Sequence, residues 1–280
     1  MKIVYIGNFK GGGGKTTIAA SLAYVLTQEY KKRVLLIDAD PQGNLTNAIA
    51  PIDYIHAYNN GEPVPDTCDL FQNIGNDEKL EDFYIKTDFD GLKLIPTWKY
   101  VLTPVLNNVA KEPAKEFMFQ FFINQFREEL EEKFDYIILD TPPHQDSLIT
   151  LNALIISDVR IGILDNDKDS ITALYELSKT FVHLQKATRV YKNTGQTDIE
   201  YCLDAIIINK VEDVSNFTSD FLSYVESIKD FSDIIQKPYI HYAVAIKEIK
   251  LKLSSSIKRN KRSWNELTLV TKEMLKKGVL

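Results

Sequence analysis

Short apolar runs rich in β-branched residues recur along the chain, with longer periodic stretches between them. Residues 2–6, 34–38, 92–95, 136–140, 159–164 and 205–209 are of this kind. They are continuous, not alternating, which predicts strands buried on both faces of a parallel sheet. Helices are predicted at 16–30, 116–133 and 171–184. The second carries Phe117, Phe121, Phe122, Phe126 and Leu130 on one broad face, and the third Leu174, Leu177, Phe181 and Leu184. An aromatic stripe of that sort is expected to pack on the sheet and not to form a partner groove. Strand and helix in alternation predict an α/β fold, a doubly wound, mostly parallel sheet flanked by helices. Residues 51–69, with Pro51, Gly61, Pro63 and Pro65, read as a surface excursion, and 191–198 as a polar loop tip. Neither has the composition of a linker and no repeat is present. Residues 1–280 are therefore expected to form one domain, closed by a helix at 264–277.

Composition narrows the class without naming it. The chain is 44% hydrophobic with 14 Phe and 14 Tyr, enough for an ordinary globular core. Cys68 and Cys202 support neither a disulfide framework nor metal-ligand spacing. Met1 leads straight into a strand and then glycines, which is not the layout of a signal peptide. No apolar stretch approaches the roughly 20 residues that span a bilayer. The expectation is a soluble cytoplasmic protein. A net charge of −6 argues against a whole-chain nucleic-acid binder but leaves room for a local basic patch.

The first strand runs into Gly7-Asn8-Phe9-Lys10-Gly11-Gly12-Gly13-Gly14-Lys15-Thr16-Thr17 and then an Ala- and Leu-rich helix. Where G-x-x-x-x-G-K-[ST] requires its first glycine, this chain has Phe9. The match is to the variant K-G-G-x-G-K-T-T, with a second lysine near the start of the loop. Backbone N–H groups of Gly11, Gly12, Gly13, Gly14 and Thr17 can close around phosphate oxygens, and the helix N-terminus adds its positive end. Lys15 would reach the β- and γ-phosphates of a nucleoside triphosphate, and Thr16 would hold Mg²⁺. The bland alternative is a glycine-rich turn, but a strand before and a helix after are the context the motif requires.

Two strands end in carboxylates. Residues 34–38 lead into Asp38-Ala39-Asp40-Pro41-Gln42-Gly43-Asn44, and 136–140 into Asp140-Thr141-Pro142-Pro143. Ligands of open parallel sheets bind beyond the carboxyl ends of the strands, which brings both sets beside the glycine loop. Asp140 suits Mg²⁺ held through water, and Asp40 or Asp38 suits orienting or activating an attacking water. The bland reading, an aspartate capping the following helix, is common for either alone.

These residues together resemble the ParA family, the deviant-Walker-A ATPases that segregate plasmids and chromosomes. The matching elements are residues 10–17, 35–44, 92–96 and 134–143, in the family's order, with a looser match through 205–209 and the closing helix. The resemblance implies that Lys10 is the signature lysine reaching the nucleotide of a second subunit, while Lys15 acts on its own. It implies Mg²⁺ held by Thr16 directly and by Asp140 through water. Asp40 would position the hydrolytic water with Asp38 in support, and residues 41–44 and 141–143 would be switch segments. It further implies an ATP-dependent homodimer, nucleoid-associated, that binds DNA without sequence preference and is released when a centromere-binding, ParB-type adaptor stimulates hydrolysis. The chain departs from the family at Gly13, at His144-Gln145-Asp146, and in the acidic turn Asp165-Asn166-Asp167-Lys168-Asp169, for which the sequence offers no explanation.

Asn209-Lys210-Val211-Glu212 approaches the guanine-reading N-K-x-D, with Glu in place of Asp. ParA relatives place an adenine-contacting polar residue at this strand end, a role Asn209 can fill, so ATP is favoured over GTP. The DNA-contact candidates are Lys247, Lys250, Lys252, Lys258, Arg259, Lys261 and Arg262, set against the single acid Glu248. Two other readings stay open. One is a MinD-like membrane-positioning ATPase using Trp264, Leu267, Thr271, Met274 and Leu275 as an amphipathic face with Lys272, Lys276 and Lys277 beside it. The second is a metabolic P-loop NTPase.

Overall fold

The computed structural model describes residues 1–72, 78–99, 101–144, 147–191, 202–212, 216–241 and 261–280. Strands β1 (Lys2–Gly7), β2 (Val34–Asp38), β3 (Ile85–Lys86), β4 (Leu92–Ile95), β5 (Tyr136–Asp140), β6 (Val159–Leu164), β7 (Ala205–Ile208) and β8 (Ile235–Gln236) form one sheet in the order β3-β4-β2-β5-β1-β6-β7-β8. Every pairing is parallel except β3 with β4. The helices are α1 (Lys15–Gln28), α2 (Asn44–Ile49), α3 (Ile52–Asn59), α4 (Asp69–Gln72), α5 (Leu102–Val109), α6 (Met118–Gln125), α7 (Arg127–Lys133), α8 (Leu148–Ile156), α9 (Lys168–Tyr191), α10 (Asn216–Ser227), α11 (Lys229–Ser232) and α12 (Lys261–Lys276).

The continuous apolar runs have the cause that their pattern predicts. Successive strand residues point to opposite faces, and here both faces are covered. Val4, Ile6, Leu36 and Ile138 meet Ile18, Leu22 and Leu26 of α1 together with Trp264, Leu267 and Met274 of α12. Ile3, Tyr5, Leu35, Ile37 and Ile137 meet Phe119, Phe122 and Ile123 of α6 and Leu174 and Leu177 of α9. Each buried side chain of this size contributes roughly 1.5–3 kcal/mol.

Several expectations change in detail. The run at 205–209 ends as a strand at Ile208, and the short strands β3 and β8 add an edge at either side. The helix expected over 116–133 is broken. A 3₁₀ turn, Lys115–Phe117, precedes α6, and Phe126 leaves helical geometry at φ −110° and ψ 18° before α7 begins. The break turns Phe122 and Phe126 edge-on to Phe83, with ring centroids 5.3 and 5.4 Å away. The excursion at 51–69 carries α3, docked through Tyr58 stacked on Trp98 at 4.6 Å. The loop tip at 191–198 lies beyond Tyr191 outside the described residues, as do Lys247, Lys250, Lys252, Lys258 and Arg259. Lys261 and Arg262 open α12.

The apolar face of α12 is not presented outward. Trp264, Leu267, Val270, Thr271 and Met274 are all buried against α1 and the sheet. The surface that a membrane-lying helix needs is therefore used up inside the fold. No helix among the described residues is long and apolar enough to cross a membrane.

Sheet order places the site. β1 lies between β5 and β6, so the chain leaves β1 at the point where successive crossovers diverge to either side. A crevice opens at the carboxyl end of β1 for that reason.

Candidate functional site

The loop between β1 and α1 borders a cavity of about 650 Å³, a size typical of small-molecule sites. A Cβ added to Gly11, Gly12 or Gly13 would meet nothing within 4 Å, so the space over the loop is open. Gly12 and Gly14 have φ of +80° and +97°, values that only glycine adopts without strain. Gly14 is the N-cap of α1 and offers no side chain to its first-turn amides. Those donors face the cavity uncapped, as a helix N-terminus that takes an anion requires.

Asn8 anchors the loop from beneath. Its amide donates to the carbonyls of Ile163 at 2.5 Å and Ser170 at 3.2 Å, and its Oδ1 accepts from the Lys10 amide at 2.9 Å. Lys15 is buried, with Nζ donating to the Lys10 carbonyl at 2.9 Å. Burial depresses its pKa, while Asp140, Asp40 and Asp165 act to keep it charged. Lys10 points differently. Its ammonium pairs with Asp165 at 3.3 Å and with Asp167. Partial burial would lower its pKa, but the two carboxylates outweigh that and raise it. The acidic turn that the sequence left unexplained is the seat of Lys10.

The three strand-end aspartates have distinct surroundings. Asp38 and Asp140 are register partners on β2 and β5. Asp38 is fully buried and its carboxylate is engaged: Oδ2 accepts from the Thr46 amide at 2.7 Å and the Thr46 hydroxyl at 2.8 Å, Oδ1 from the Asp40 amide at 3.2 Å. Burial, then Asp140, raises its pKa well above the usual carboxylate range. Asp38 thus organises the segment that follows β2. Asp40 lines the cavity and accepts from the Gln42 amide at 2.9 Å. Asp140 is 1% exposed, and among the described residues neither of its oxygens has a hydrogen-bond partner of good geometry, although the Thr16 hydroxyl lies near enough to favour the charged form. Burial raises its pKa to about 7, with Asp40 adding to the rise and the Thr16 hydroxyl and Lys15 opposing it. A buried carboxylate with both oxygens unpartnered is costly unless a cation completes it.

The segment 41–44 is held from the neighbouring strand. Gly43, at φ +62°, lies so close to β4's exit that a Cβ would stand 2.6 Å from the Thr97 carbonyl oxygen. The Thr97 amide donates to the Thr46 hydroxyl at 2.8 Å. Pro142, Pro143, His144 and Ser147 form the facing wall of the cavity.

On the opposite flank β7 and β8 contribute Asn209, Lys210 and His241. Asn209 is buried, and its side-chain amide donates to the Gly13 carbonyl at 3.1 Å. His241 is oriented by Glu266, through its Nδ1 at 2.7 Å and its amide at 2.9 Å, and Arg262 donates to the same carboxylate at 3.0 Å. Arg262 is thus seated beside the cavity wall. His241 and Glu266 belong to no motif, and the near-match Asn209-Lys210-Val211-Glu212 does not announce that Lys210 folds back on the loop. Only the topology, which sets the ends of β7 and β8 beside the loop, brings them in.

Of the residues singled out in the sequence, Gly11, Gly12, Gly14, Lys15, Thr16, Thr17, Asp40 and Asn209 line one crevice; Gly13 belongs to the same loop, Asp38 and Asp140 are buried at the strand ends, and Lys10 turns instead to Asp165 and Asp167. Uncapped amides, a buried ammonium, a threonine hydroxyl and an uncompensated carboxylate form the donor and acceptor set of a magnesium–triphosphate group. The residues fit such a ligand.

Comparison with known proteins agrees. The family model described as AAA domain matches residues 1–193. A chromosome partitioning protein ParA of Myxococcus xanthus is 31% identical over 180 residues, 64% of this chain and 57% of that protein, so the match spans little more than half of that relative. The sporulation initiation inhibitor protein Soj of Bacillus subtilis is 28% identical over 251 residues, 88% of this chain and 87% of Soj. An ATP complex of Cyanothece McdA shares the fold at a TM-score of 0.74 and 19% identity, covering 99% of this chain and 96% of that one.

Proposed function

Because this chain belongs to the AAA domain family and, within it, to the ParA-type partition proteins, we propose that it is a magnesium-dependent ATPase. In this reading ATP drives formation of a homodimer that holds DNA without sequence preference. A centromere-binding adaptor stimulates hydrolysis and so ends that state. The observation that carries the reading is the pair of lysines on one glycine loop, Lys15 buried beside an unpartnered Asp140 and Lys10 turned away from it.

Each residue has a role that its surroundings support. Amides of residues 11–17 take the phosphate oxygens, and Lys15 exchanges the Lys10 carbonyl for a β- or γ-phosphate oxygen. Thr16 and Asp140 would hold Mg²⁺, which supplies charge neutralisation along the phosphates. Asp40, at the cavity wall, orients the attacking water, and Asp38 supports it by fixing the backbone of residues 40–46. Lys10 reaches a second subunit's nucleotide only after leaving Asp165 and Asp167. Dimer formation therefore competes with an ion pair inside the monomer.

The DNA contacts assigned to Lys247, Lys250, Lys252, Lys258, Arg259, Lys261 and Arg262 rest on charge. Their excess over Glu248, in a chain of net charge −6, is what a surface tracking phosphates needs. The test is fluorescence anisotropy of a labelled random duplex titrated with protein, Mg²⁺ and either ATP or ADP. Salt-sensitive binding with ATP alone, lost in Lys10→Ala and in Lys258→Glu/Arg259→Glu, is expected. Absence of binding in every nucleotide state overturns the DNA reading. Hydrolysis that persists without it would leave the metabolic NTPase reading in its place.

A further inference from the structure

The end of β7 reaches back over the phosphate loop with two consecutive side chains. Asn209 continues the sheet register, its amide donating to the Leu164 carbonyl at 2.7 Å. Its side-chain nitrogen donates to the Gly13 carbonyl and lies 2.3 Å from where a Cβ on Gly14 would stand. Only glycine at position 14 admits that approach. Lys210 then takes φ +60°, a left-handed conformation that a residue with a Cβ adopts at a cost. Val211 returns at once to regular pairing, its amide donating to the Ile240 carbonyl at 3.1 Å. The twist at Lys210 is therefore local, and it turns the side chain so that its ammonium donates to the Gly12 carbonyl.

These bonds aim the loop. In a trans peptide the C=O of one residue and the N–H of the next point in opposite directions. Tying the carbonyl of Gly12 toward Lys210 turns the Gly13 amide the other way. Tying the carbonyl of Gly13 toward Asn209 does the same to the Gly14 amide. Glycines have the widest freedom to rotate such a peptide, so an untied run of four would spread its donors over many directions. From this we infer that Asn209 and Lys210 are positioning residues for the polyphosphate chain, acting through the Gly12 and Gly13 carbonyls. Asn209 commits one of its two side-chain N–H donors to the loop, so its removal acts on the phosphates whichever base they carry. The inference rests on the triphosphate reading above and assigns to this strand end a different part of the ligand.

Isothermal titration of the wild-type chain with ATP, GTP and inorganic tripolyphosphate, each with Mg²⁺, separates the possibilities. Asn209→Ala is expected to weaken all three ligands by a similar factor of about five to ten, the loss of one buried hydrogen bond. The ratio of ATP to tripolyphosphate affinity then stays within about twofold of wild type. Lys210→Gly provides the second arm. It relieves the left-handed backbone while removing the ammonium, so the thermal midpoint holds or rises while affinity for tripolyphosphate falls. Weakening of ATP with tripolyphosphate unchanged in Asn209→Ala would make Asn209 a base contact and overturn the inference. So would unchanged affinity for every ligand in both variants. A wild-type chain that binds neither nucleotide nor tripolyphosphate is a different outcome and removes the triphosphate reading itself.

Discussion

Replacing Asp140 by Asn should stabilise the nucleotide-free protein at alkaline pH while destroying its use of Mg²⁺. Asp140 is buried with both oxygens unpartnered, and its pKa stands at about 7 against an ordinary 3.8. The folded pKa exceeds the unfolded one, so the native chain binds more protons between about pH 4 and 7. Stability from this group is full below that window, falls as pH rises through it, and is flat above. At about 1.4 kcal/mol per pH unit, the span corresponds to ~4 kcal/mol by pH 8. An asparagine carries no charge at any pH and escapes this loss. Asp140 also raises the pKa of Asp38, after burial, so the substitution relaxes a second group in the same direction. The assay is urea denaturation of both proteins at pH 5, 6, 7 and 8 in chelator without nucleotide. Between pH 5 and pH 8, which takes in about two of the three pH units, the variant's advantage should grow by ~3 kcal/mol, equivalent to about 6–12 °C in melting temperature at 2–4 °C per kcal/mol. With Mg²⁺ and ATP the order should reverse, because only the carboxylate gains a cation. Two stability curves that run parallel from pH 5 to pH 8 would refute the reasoning, since any fixed cost of a buried amide cancels from the comparison.

Other positions give sharper single readouts. Gly43→Ala places a Cβ against the Thr97 carbonyl at a φ of +62° and should cost about 1–3 kcal/mol in chemical denaturation. Thr46→Val removes the hydroxyl that donates to Asp38 and accepts from the Thr97 amide, and should cost about 1–3 kcal/mol for each buried group left unpaired. The same variant should slow hydrolysis, measured by phosphate release, because residues 40–46 lose their anchor. Lys10→Ala should cost about 1–3 kcal/mol, because the buried Asp165 loses its cation, whereas the half-exposed Asp167 contributes little. Its hydrolysis rate should fall at least tenfold, and equal rates would remove Lys10 from the chemistry.

The parts legible in advance were those written locally. Runs such as Tyr136–Asp140 and Val159–Leu164 are strands to the residue because burial on two faces leaves them mostly apolar, and the guanidinium of the buried Arg160 is met by the carbonyls of Leu154 and Ser157. The glycine loop was legible because its chemistry needs contiguous residues. Ile85–Lys86 and Ile235–Gln236 are too short to show a period, and their pairing with distant strands defines them. Phe126 belongs to an unbroken aromatic stripe, yet tertiary packing around Phe83 interrupts the helix there. Asp167 and Asp165 looked anomalous because their partner, Lys10, lies 155 or more residues away. Asn209 lines the cavity at its strand end, but its hydrogen bond to the loop depends on the absence of a side chain at Gly14, which no spacing rule relates to it.

The tie between the loop and the end of β7 joins residues 196 and 198 apart in sequence. During synthesis the glycine loop leaves the ribosome some two hundred residues before the side chains that aim it. A nascent chain that already displays the whole motif therefore holds a slack loop, and loop-closure entropy over that distance delays its tightening until the last third of the sheet has docked. Residues 1–193, which match the family model, hold the glycine loop and both acidic strand ends, yet not the side chains of Asn209 and Lys210 that tie the loop. Tight nucleotide binding by this chain consequently reports the arrival of Asn209 and Lys210, and so serves as a clock for completion of the fold.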